Sequence, residues 1–243
     1  RVQLGVDLES DTVDLGVQPD AGMACGGGNG MGGVEFSYIW VANSAQGTIS
    51  KINTQTLVEE GRYIVRPDSA GNPSRTSVNL AGDVAVANRY GGVAKVLART
   101  DDCKDTNGMP GIQTSTGAND ILPWGVEECV AWYTPFDFTT QRPLAWSPGQ
   151  LNKGTCVYEG MQLWTTGGQA NQGGSVVVYA LNGESGAVEQ TIPIPEVQIG
   201  GFGPYGAAFD PEGNFWFVDS GNDGPTQELA RVDTSANTHT IWT

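Results

Sequence analysis

The tripeptide Val-Ala-Asn occurs at residues 41–43 and again at 86–88, an offset of 45 residues, and both copies sit at the same place in a strand-turn-strand phrase. FSYIWVANS, AQG and TISKINT make the first phrase, with LVEEGRYIV behind them. RTSVNLAG, DVAVANRYGG and GVAKVLAR make the second. The phrase returns as MQLWTTGG from Met161, followed by SVVVYALNGESG and AVEQTIPIP, and once more as NFWFVDSG from Asn214, followed by ELARVD. Its last copy is the most complete: FGPYGAAF, the turn DPEG, NFWFVDS, a loop, ELARVD, the turn TSAN and THTIWT divide residues 202–243 into four short strands. Gly, Pro, Asp and Asn supply the backbone angles and local hydrogen bonds that reverse a chain between such strands.

A small antiparallel sheet cannot bury both faces alone, and a period near 45 residues is that of a radial array of four-stranded sheets. We expect an all-β chain: a β-propeller of four-stranded antiparallel blades over residues 36–243, with about four blades visible, preceded by residues 1–35 as a strand segment and Gly-rich loop. Two insertions break the rhythm, at about 100–128 and 136–159. GGGNGMGG in the N-terminal part lacks the Lys-Ser/Thr ending of a phosphate loop and reads as an irregular loop. The chain starts at Arg1 with no initiator Met and no signal-peptide pattern, which reads as a processed or trimmed chain.

Charge narrows the partners. Twelve Lys and Arg against 27 Asp and Glu leave a formal charge of −15, which disfavours nucleic acid and anionic membrane surfaces. No run is apolar enough to span a bilayer as a helix. Four cysteines and one histidine argue against a zinc site and permit two disulfides in an oxidising compartment. Of the three possible pairings we prefer Cys103 with Cys129, closing the first insertion, and Cys25 with Cys156. An extracellular, periplasmic or cell-surface location follows from that use of cysteine.

YIWVANSAQGTISKINTQT, LAGDVAVANRYGGVAKV and GPYGAAFDPEGNFWFVDSG resemble blades of the NHL, YVTN and streptogramin-lyase-like superfamily of β-propellers. The resemblance covers most of residues 36–243 outside the insertions. It implies a ring of more blades than four, completed by a missing segment or by another chain. For the lyases of that group it also implies a histidine base with a divalent metal. The one histidine here, His239, falls in the outer strand of the last blade, away from a propeller's channel.

Asp101, Asp105, Asn107 and Asp120 are the candidate metal ligands. With Asp102, Glu127 and Glu128 they give the first insertion hard oxygen donors suited to calcium. The alternative is a solvated acidic loop closed by Cys103 and Cys129. Asp219, beside Asp223, reads as a turn cap accepting backbone N–H groups. Trp40, Trp164 and Trp216 occupy equivalent positions and should pack between blades. Trp124, Trp132, Trp146 and Tyr133 lie in or beside the insertions, where they could form a platform for a glycan or a peptide. No nucleophile motif or fixed carboxylate pair is present, so the expected role is a noncatalytic binding or structural propeller, with protein or glycan partners and calcium as the candidate cofactor. The alternatives are a metal-dependent lyase or hydrolase and a subunit of a surface filament or multi-chain assembly.

Overall fold

A computed structural model describes residues 37–152, 154, 157–199, 201–221 and 228–243. The expectations for residues 1–35, for Asp223 and for the Cys25–Cys156 pair fall outside them. Four antiparallel sheets follow in chain order. The first holds β1 (Tyr38–Asn43), β2 (Thr48–Asn53) and β3 (Glu59–Ile64); the second holds β4 (Pro73–Val78), β5 (Val84–Asn88), β6 (Val93–Val96) and β7 (Val130–Thr134). In the third, β8 (Thr140–Trp146) is followed by a separate hairpin, β9 (Gln150–Asn152) with β10 (Val157–Glu159), before β11 (Gln162–Gly168), β12 (Val177–Asn182) and β13 (Val188–Pro193) complete the sheet. The fourth is β14 (Gly201–Phe209), β15 (Phe215–Gly221), β16 (Leu229–Asp233) and β17 (Thr238–Trp242). Its strands begin and end close to where the turn residues divide the sequence.

Each sheet packs its face on the next. Trp40, Ile49 and Tyr63 of the first meet Val84, Val86, Ala94 and Val96 of the second. Ala85, Ala87, Val93 and Trp132 of the second meet Leu144, Trp146, Leu163 and Leu181 of the third. Trp164, Val178 and Ala180 of the third meet Phe215, Phe217, Ala230 and Val232 of the fourth. Period-2 alternation puts successive side chains on opposite faces, so one strand serves two interfaces. Polar groups stitch the same seams: Trp40 Nε1 donates to Gly82 O, Lys51 Nζ to Ala98 O and Lys95 Nζ to Gly183 O.

The turn AQG tightens into a 3-10 turn (Ser44–Gln46) closed by Gly47 at φ 68°, where a Cβ would lie 2.0 Å from Ser69 O. The span 136–159, expected as an insertion, contains β8, every residue of which is buried. Only the hairpin β9–β10 interrupts that sheet. The loop after β6 carries the first insertion, tied by the Cys103–Cys129 disulfide across 26 residues. No helix among the described residues is long and apolar enough to cross a membrane.

Candidate functional site at the axis

The strands β4, β8 and β14 open their sheets, lie at a sheet edge, and contact one another in the order β4, β8, β14. Each carries one proline, Pro73, Pro143 and Pro204. An edge strand tolerates proline, because the missing N–H costs no ladder bond on its open side. In a radial array the first strands line the central channel, and here they bring together side chains far apart in sequence.

Arg142 on β8 is buried, at 8 % exposure. Its Nη1 donates to Thr140 Oγ1 at 2.6 Å and to the carbonyl of Phe202, and its guanidinium lies 5.1 Å from the Phe202 ring and 5.6 Å from the Tyr205 ring. Arg75 on β4 stacks 4.4 Å from the same Tyr205 ring, and its Nε donates to Tyr205 O at 3.4 Å, joining residues 130 positions apart. Arg89, at the end of β5, donates to Asn72 Oδ1. Burial first, and then the charge of Arg89, hold Arg142 below the ordinary arginine value. Among the described residues no carboxylate lies within ion-pair distance of Arg75, Arg89 or Arg142.

The acidic insertion is organised differently. Glu128 Oε1 accepts the N–H groups of Thr106 and Asn107, and its Oε2 accepts that of Gln113. Those backbone donors hold its carboxyl below the ordinary range. Glu127 accepts the N–H groups of Ser115 and Cys129. Of the four candidate ligands, Asp101 is exposed beside Arg99, and Asp105 is exposed. Asn107 accepts from Met109 N and donates to Val126 O, while Asp120 accepts from Thr116. Among the described residues no three His, Cys, Asp or Glu side chains are grouped to hold a metal ion.

The aromatic platform is dispersed as well. Trp132 and Trp146 are core residues whose indoles donate to Gly183 O and Ser77 O. Trp124 and Tyr133 form an edge-on pair at 5.7 Å. Of the three equivalent tryptophans, Trp40 and Trp164 are buried between sheets, whereas Trp216 is half-buried, bonded to Asp210 and stacked on Trp242 at 5.3 Å. Asp219 is buried, and among the described residues neither of its carboxylate oxygens has a partner; the turn toward Asp223 that it was expected to cap lies outside them. His239 stands on β17, with Nε2 3.0 Å from Glu196 Oε2.

No family model matches the sequence, and no curated protein matches it. Solved structures do. A virginiamycin B lyase from Staphylococcus aureus superposes at TM-score 0.50 and 13 % identity over 84 % of this chain and 51 % of its own. Hydrazine synthase from Kuenenia stuttgartiensis superposes at 0.51 and 10 % identity over 85 % of this chain and 46 % of its own. The fold is that of a β-propeller, and the resemblance read from the repeated phrases holds at that level. This chain spans about half the length of those structures. A lyase and a synthase match it equally well, so the likeness speaks for fold alone.

Proposed function

We propose that this chain is a noncatalytic binding and assembly propeller of an exported or surface protein, whose last sheet is built to receive a further sheet. The observation that carries this is a register. Trp40 pairs with Lys51 and Ala85 with Lys95, on faces that the next sheet covers. Trp216 pairs with Arg231 in the same way, on the face of the last sheet that points away from the third. Around them Val218, Leu229 and Trp242 are 43 %, 37 % and 43 % exposed. At the other end the first sheet exposes Ile39 and Val41. The two open faces have the character of the two sides of an internal seam, so each is suited to receive a further sheet of this kind, and in the 243-residue chain by itself the two faces serve each other head to tail.

Multi-angle light scattering across a concentration series tests it: association is expected, and Trp242→Asp should abolish it with little change in melting temperature. A monomer at every concentration contradicts the reading. The disulfide supports export, because such bonds persist in oxidising compartments. The lyase alternative has only His239 to use, and β17 is the sheet strand farthest from the axial β14. The calcium proposal for the first insertion is tested by the melting temperature with calcium and with chelator: a higher value with calcium supports it, and equal values remove it.

A further inference from the structure

We propose that the mouth between β4, β8 and β14 binds a small oxyanion, the carboxylate, phosphate or sulfate group of a ligand. Arg75, Arg89 and Arg142 are its donors, and Tyr205 and Phe202 form its wall. Acids outnumber bases 27 to 12 in this chain. Three arginines elsewhere find carboxylates: Arg62 pairs with Glu59, Arg66 with Asp68, and Arg99 with Asp101 and Asp102, while Arg231, on the open face of the last sheet, has no ion pair among the described residues. Among the described residues the three at the axis find only neutral acceptors. A buried cation without a counter-ion is costly, and like charges beside it raise the cost. A structural role would be filled more cheaply by a neutral side chain.

The geometry leaves the right donors unengaged. Stacking on Tyr205 occupies the flat face of the Arg75 guanidinium, and apart from the long Nε bond its nitrogens have no acceptor among the described residues. Among the described residues Arg142 engages only Nη1 with protein oxygens. Planar N–H forks match carboxylate and phosphate oxygens, so three of them around one space suit a single oxyanion. The field of a chain at −15 repels polyanions, so recognition must be short-range and the ligand small. The rings beside the arginines accept an apolar or sugar body attached to the anion.

The full chain in chloride buffer, titrated with inorganic phosphate, sulfate, citrate and phenyl phosphate at matched ionic strength, tests this by calorimetry and melting temperature. Saturable binding of at least one probe is expected, weakened about tenfold or more in Arg75→Gln, because a charge-assisted fork is lost. Arg75 is exposed, so that variant should fold; Arg142→Gln, checked by its melting curve, should bind more weakly still. Preference for phenyl phosphate assigns a phosphate ester, and preference for citrate a carboxylate. Absence of saturable binding for all four probes, or equal affinity in wild type and Arg75→Gln, overturns the assignment. The test does not depend on sheet-to-sheet assembly.

Discussion

Asp219 lies on β15, buried, with no partner for either carboxylate oxygen among the described residues. Burial first, and then the nearby charge of Glu228, push its carboxyl up to about 6 from an ordinary 3.8. Between about pH 4 and about pH 6 the folded chain therefore holds a proton that the unfolded chain has released, and stability falls as pH rises through that interval. Asp219→Asn should raise the melting temperature at pH 7, leave it near wild type at pH 4, and flatten the slope between. An unchanged slope would mean that the carboxylate is solvated. The equivalent tryptophans give a second residue-scale prediction. Trp164, 1 % exposed between two sheets, should cost ~3–5 kcal/mol on truncation to alanine, whereas Trp216→Ala should cost clearly less. Chemical denaturation of the two variants checks the ordering.

At the scale of elements, the loop after β6 shows how an acidic stretch can be ordered from within. Glu127 and Glu128 accept five backbone N–H groups between them, and Cys103–Cys129 closes the loop. Reduction of that disulfide, or its replacement by serines, should cost about 3–4 kcal/mol by loop-closure entropy and open residues 100–128 to protease. Equal stability and equal protease resistance would contradict it. These roles were only partly legible in the sequence. The cut points of β14 to β17 were readable because DPEG and TSAN are turn chemistry between alternating strands. β8 was hidden: its residues are buried on both faces, so TQRPLAW shows no alternation, and Pro143 reads as a break unless the strand is known to be an edge. Trp132 and Trp146 border the insertions in sequence, yet they fall on β7 and β8 and point into the seam between sheets.

At the scale of the molecule, the axial site had no local motif to betray it, since Arg75, Arg142 and Tyr205 meet only once three sheets are in place. The one hint was that arginine is scarce in an acid-rich chain, and a scarce residue without a nearby acid asks for a reason. The strand-turn-strand phrase, by contrast, was legible in all four sheets, because each seam reuses it, even where an opening strand such as β8 was not. The account rests on the first strands of the second, third and fourth sheets converging on one axis. The most direct measurement is a nuclear Overhauser spectrum of selectively labelled protein, read for contacts between the Arg75 side chain and the Tyr205 ring, 4.4 Å apart in this fold. The account predicts a strong cross-peak between these residues. Tyr205 cross-peaks confined to its own sheet would contradict the radial arrangement and the site built on it.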